Sequence, residues 1–175
     1  MVAYPIPKLP AGIPGTVHRM ENAEIITETS DPLLPFRAYG VAGVINASNG
    51  RYRPVAAGDV DADVCGLLVR TFPGFAGTDW NAQGLGQSVP AAGTKPVNYS
   101  VMIRGFMSIK VNGATAPVKN GAVYVRVAQG STDPAVQPIG GFEAAADGAN
   151  TIQLTRTRFR GPADAYGNTE IAFRI

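Results

Sequence analysis

The stretch VNYSVMIRGFMSIKVNG, Val97 to Gly113, decides how the rest of the chain is read. Every second residue from Val101, namely Ile103, Gly105, Met107, Ile109 and Val111, is apolar or glycine. Strict period-2 alternation predicts a β-strand with one dry face. The other set, Met102, Arg104, Phe106, Ser108 and Lys110, is not simply polar, because Met and Phe stand between basic residues. Working outward, AVYVRVAQG (122–130) predicts a second strand with Val123, Val125 and Val127 inward and Tyr124 and Arg126 outward. Arg, Met and aromatic residues are enriched at protein contact surfaces. Met102, Arg104, Phe106, Tyr124 and Arg126 are therefore expected to form an outward-facing protein-binding patch. The competing reading is an ordinary exterior in which the stems of basic side chains cover a stray apolar group.

Short strand signals continue along the chain. RAYGVAGVIN, RYRPVAAGD, DVCGLLVRTF, IGGFEAA, TIQLTRTRF and EIAFRI are separated by turn residues such as ASNG and two further Asn-Gly pairs. In TIQLTRTRFRG the phase slips, since Ile152 and Leu154 share a face that Phe159 does not. Either a bulge re-aims the strand or its basic end leaves the sheet. With 21 Gly, 14 Pro and no apolar run at helical spacing, the chain is expected to be all-β, a jelly-roll-like sandwich or barrel. A length of 175 residues suits one domain.

Residues 1–35 read differently. Pro5, Pro7, Pro10 and Pro14 favour an extended chain, and the acidic ENAEIITETSD after them fits a strand or a ragged helical turn. This segment is expected to be an extended proline-rich arm, with 36–175 forming the β domain. Tyr4, Ile6, Leu9, Ile13 and Val17 are too sparse for a core but suit a segment that lies across another protein. The prolines also break any signal-peptide apolar region, and no apolar run is long enough to cross a membrane.

Chemistry is scarce. The single His, His18, lies in the arm, away from any Ser or Cys of the β domain, so no acyl-transfer triad is expected. Asp59, Asp61 and Asp63 open like a calcium loop, but Val64 and Arg70 occupy the positions that need Gly and Glu. They are expected to share a solvated strand edge. The single Cys, Cys65, has no internal disulfide partner and reads as a buried thiol. No dinucleotide or phosphate-loop fingerprint occurs. Arg156, Arg158, Arg160 and Arg174 cluster near the C-terminus, yet a net charge of +2 argues against direct nucleic-acid binding. A non-enzymatic protein without metal or cofactor is expected.

Several phrases occur together: VAAGD, GLLVRTFP, PAAGTKPVNYSVMIRGFMSIKV, TAPVKNGAVYVRV, IGGFEAAADGANTI and FRGPADAYGNTEIAFRI. In that order they resemble the structural cement proteins of tailed bacteriophages, over about residues 36–175. The resemblance implies a capsid decoration protein, made in the host cytoplasm and carried on the outer surface of the virion. It implies the major capsid protein as partner, self-association into dimers or trimers, no membrane and no catalytic residue. A second reading is a virion-surface receptor- or glycan-binding module using the long loop around Trp80, where Asp79 and Asn81 flank the indole.

Overall fold

The computed structural model describes residues 11–70 and 96–175. Tyr4, Ile6, Leu9 and the loop around Trp80 lie outside the described residues. Ten strands are described: β1 (Val17–His18), β2 (Glu24–Thr29), β3 (Ala42–Asn46), β4 (Arg51–Pro54), β5 (Val64–Leu68), β6 (Asn98–Asn112), β7 (Ala122–Arg126), β8 (Phe142–Glu143), β9 (Thr151–Phe159) and β10 (Asn168–Phe173). The strand expectations hold for each of these segments from Ala42 onward, and the fold is all-β and jelly-roll-like.

Strand β6 organises the molecule. Its C-terminal half pairs with β10, which continues through β9, β7 and β8 and returns, parallel, to β6. This closes a five-stranded barrel and so removes its sheet edges. The N-terminal half of β6 carries β2 on one edge and β5 on the other, because both pair with Val101 and Met102. Strands β3 and β4 extend the sheet beyond β5, and a bridge from Ser30 to Tyr52 joins the end of β2 back to β4. At 15 residues, β6 spans about 50 Å and belongs to both halves.

Each half has its own core. The larger contains Met102, Met107, Ile109, Val123, Val125, Phe142, Leu154, Phe159, Ile171 and Phe173. The smaller is aromatic: Phe36, Tyr39, Tyr52 and Tyr99, with Leu68 and Val101. Phe36 stacks on Tyr52 at 4.7 Å between centroids and meets Tyr99 edge-on at 5.7 Å. The Tyr52 hydroxyl donates to the Gly66 carbonyl at 3.1 Å. Its ring lies so close to β3 that a Cβ on Gly43 would sit 2.4 Å from Tyr52 Cζ.

This arrangement corrects the reading of β6. The expected single dry face does not exist, because the strand changes phase at Gly105. Before it, Val101 and Ile103 pack into the aromatic cluster and Met102 into the larger core. After it, Met107 and Ile109 fill the larger core. The register with β2 slips at the same place, from Glu24–Arg104 to Ile25–Met102. Gly105 has φ 141°, and a Cβ there would lie 2.9 Å from Met102 Sδ and 3.1 Å from Ala23 Cα. Only glycine allows that backbone and that approach. In β9 the bulge is found: its register with β7 jumps from Val123–Leu154 to Ala122–Arg158, while Phe159 stays paired with Ile171.

Residues 11–35 do not stand apart from the domain. β1 pairs with β6 at Met107 and Phe106, β2 pairs with Arg104 to Asn98, and a 3-10 turn at Met20–Asn22 links them. Val17 packs against the larger core, and Ile13 is half-buried. The physical reason is that β6 would otherwise present unpaired backbone groups along these edges.

Candidate protein-binding surface

Outside the barrel, register fixes which side chains are neighbours. Val17, Met107, Ile171 and Phe159 form one cross-strand row, all turned to the core. The adjacent row, His18, Phe106, Ala172 and Arg158, therefore points outward. Ser108 and Glu170 face each other in the next row, with the Arg160 amide bonded to the Glu170 carbonyl. On the other side, Arg174 and Arg156 are joined by a backbone hydrogen bond; Arg104 and Met102 oppose consecutive residues of β2, Glu24 and Ile25, so with Met102 in the core Arg104 is turned outward and exposed. The outer face of β6, β10 and β9 is thus rich in arginine, with Glu170 within it, Glu24 of β2 opposite Arg104 and Asp61 beside Arg156.

Phe106 faces outward as expected but is buried. The Arg19 guanidinium covers it at 4.2 Å and Arg160 approaches at 5.9 Å. Met102 is fully buried because the phase change turns it into the core. Arg126 leaves the barrel wall in the expected direction, yet it too is fully buried, since residues 128–150 fold over it. Its Nε and Nη2 donate to both Glu143 carboxylate oxygens, at 2.5 and 3.1 Å, and Nη2 also reaches Asp147 at 2.9 Å. Nη1 donates to the Ala128 carbonyl at 3.2 Å. The Glu143 bonds hold Arg126 charged despite its burial. Of the patch expected from the sequence, only Arg104 is exposed and Tyr124 half-exposed.

Sequence reasoning missed the surroundings of His18. Its Nδ1 lies 3.0 Å from Glu170 Oε1, and its Nε2 lies 3.1 Å from Ser108 Oγ. Arg19 Nη2 donates to Glu170 Oε2 at 3.2 Å. Ser, His and Glu are connected as in a hydrolase, but the direction of the bonds is wrong. The Ser108 hydroxyl has one proton and donates it to the Ala11 carbonyl, so that proton is not held between Ser108 and His18 as a triad requires. Ser108 is also fully buried. The cluster ties residues 11–19 to the barrel.

The aspartates of GDVDADV do not share a strand edge or converge. Asp61–Asp63 is a 3-10 turn, Asp59 forms a bidentate pair with Arg53 at 2.8 and 2.9 Å, and Asp61 accepts from the Thr155 amide and hydroxyl. Asp63 accepts from the Val60 amide. No group of His, Cys, Asp and Glu suited to a metal occurs among the described residues. A cleft beside Asp61, lined by Arg156, Thr157, Phe173 and Arg174, continues the basic face toward β5. Arg174 donates there to the carbonyls of Val64 and Cys65.

Comparison with known proteins places this surface in context. Residues 6–173 match the family of the XM1 gp53 minor capsid protein. The fold is similar to that of a chain in the capsid of Myoviridae phage XM1, with a TM-score of 0.69 at 16% identity, over 95% of this chain and 92% of that one. Comparison with curated proteins gives no match.

Proposed function

Because the chain belongs to the XM1 gp53 minor capsid protein family, we propose that it is a decoration or cement protein on the outer surface of a phage head. In this reading it binds the major capsid protein and joins neighbouring subunits, acting as a dimer or trimer. The coarser statement stands on the family itself: the chain is a tailed-phage capsid structural protein, and it is not an enzyme.

The observation that supports the finer reading is a barrel whose outer face is charged rather than catalytic, in a chain whose capsid family match runs along nearly its whole length. Exposed apolar groups, Leu33 and Leu34 between β2 and β3 and Met20 in the turn between β1 and β2, add contact area of the kind a joint needs. The half-exposed Tyr124 and exposed Arg104 belong to the proposed contact surface. So does the segment bearing Tyr4, Ile6 and Leu9, since prolines lower the entropy lost when such a segment is ordered on a partner.

The test is co-sedimentation of the purified protein with heads that lack it, with the stoichiometry to the major capsid protein measured in the same gradient. Binding at a fixed ratio and a higher disruption temperature of the heads are expected. Heads that bind none of the protein, or that are no more stable with it, refute the reading. Removing residues 1–10 is expected to weaken head binding by about tenfold or more, about 1.4 kcal/mol, with the thermal midpoint nearly unchanged. Longer truncations would remove β1 and β2, which the domain itself uses.

A further inference from the structure

The outer face of β6, β10 and β9 carries a charge that the chain does not answer. Ion pairs among the described residues engage Arg19, Arg53 and Arg126. None engages Arg104, Arg156, Arg158, Arg160 or Arg174. Arg158 donates only to the carbonyls of Thr155 and Thr157, and Arg160 keeps its Nε buried with no acceptor. Of the carboxylates nearest these arginines, Glu170 is taken by His18 and Arg19, Asp61 accepts from Thr155, and Glu24 stands opposite Arg104 without forming an ion pair.

We propose that this face, through Arg104, Arg156, Arg158 and Arg160, receives an acidic, carboxylate-bearing stretch of a capsid subunit. The inference rests on the capsid-binding reading above and names the surface and chemistry it uses. Arg156 and Arg158 of β9, and Arg160 just past its end, alternate with the buried Thr157 and Phe159, about 7 Å apart along the chain. Carboxylates on alternate residues of an extended segment have the same repeat. The planar guanidinium fork matches a carboxylate with two parallel hydrogen bonds. A nucleic acid fits less well. The aromatic ring of this face, Phe106, is 8% exposed under Arg19 and Arg160, so it offers no platform for a base, and Glu170 interrupts the positive field.

The experiment compares the wild type with the R104Q/R156Q/R158Q variant, three exposed positions whose change leaves the core untouched. The probe is DNA-free heads lacking the protein, over salt from roughly 50 to 500 mM, where screening becomes severe. The wild type should bind tightly at low salt and weaken as salt rises. The variant, with an unchanged thermal midpoint, should bind roughly tenfold more weakly or worse at low salt, with a flatter salt dependence. An R37Q/R51Q control, altered outside this face, should bind as the wild type does. If the triple variant binds like the wild type, or the control loses as much, the inference is overturned while the capsid reading stands. If the wild type does not bind heads at all, the capsid reading itself fails. If a DNA duplex binds the wild type and not the variant, while heads bind both alike, the face belongs to nucleic acid.

Discussion

Replacing Arg126 by Met removes the hub of the loop between β7 and β9. The guanidinium is fully buried, and its fork holds both oxygens of Glu143, whose side chain is 5% exposed. Without Arg126, Glu143 keeps only the Gln137 amide at 3.1 Å, and a buried carboxylate loses its counter-charge. Breaking one side of such a pair costs about 3–5 kcal/mol. For a chain of this size that corresponds to a fall in thermal midpoint of roughly 6–20 °C. Asp147 is 41% exposed and can return to water, so Glu143 carries most of the penalty. The R126M/E143L double variant replaces charge by apolar volume on both sides and is expected to recover about 2 kcal/mol relative to the sum of the single variants. Denaturant unfolding of the four proteins measures this cycle. A loss below about 1 kcal/mol for R126M, or purely additive single changes, would refute the view that this pair holds the loop.

Other perturbations probe the remaining features. Asp31 accepts from Asn49 and Asn46 side chains and from the Leu33 amide, which hold its carboxyl below the ordinary 3.8. A depressed carboxyl stabilises the fold above its unfolded value and loses that contribution as pH falls through the folded one. The stability gap between wild type and D31N should therefore be constant near neutrality and narrow below about pH 4, as followed by denaturant midpoints. Gly43→Ala drives a methyl into the Tyr52 ring, which is fixed by its stack on Phe36 and its bond to Gly66; a loss of about 1–3 kcal/mol is expected by the same measurement. Burial and, secondarily, Glu28 push the Cys65 thiol up to about 11, so iodoacetamide at pH 8 should leave the native protein unalkylated and modify it quickly once unfolded. A fluorophosphonate probe should not label Ser108, whose hydroxyl is buried and already donating.

How far the sequence reaches is clearest at β6 and β7. Alternation in AVYVR places the inward residues correctly, and in EIAFRI it does so for Ile171 and Phe173, because each of those strands has a single core beneath it; Ile175, expected inward with them, is exposed, since β10 ends at Phe173 and Arg174 turns left-handed. VMIRGFMSIKV misleads, because a strand shared by two cores buries both faces in its first half and changes phase at a glycine. Alternation alone does not reveal which core a face meets. Arg126 shows a second limit: strand phase gives direction, but a loop arriving from residues 128–150 decides exposure. The His18 cluster shows a third. Its partners lie 90 and 152 residues away in sequence, and no local pattern announces a contact that only the closing of β1 and β10 around β6 creates.

The sharing of β6 has a mechanical consequence. Hydrogen bonds between antiparallel strands run across the strand axis. β2 is held to one half of β6 over Glu24–Thr29, and β10 to the other over Asn168–Phe173. Tension applied along β6 would strain each set of bonds together, in shear, rather than peel them apart one at a time. A pull on either half would pass directly to the other through an unbroken strand. The axis of β6 is thus the stiff direction of this protein, and a crosswise pull on the short β8, paired over two residues on each side, is its weak one.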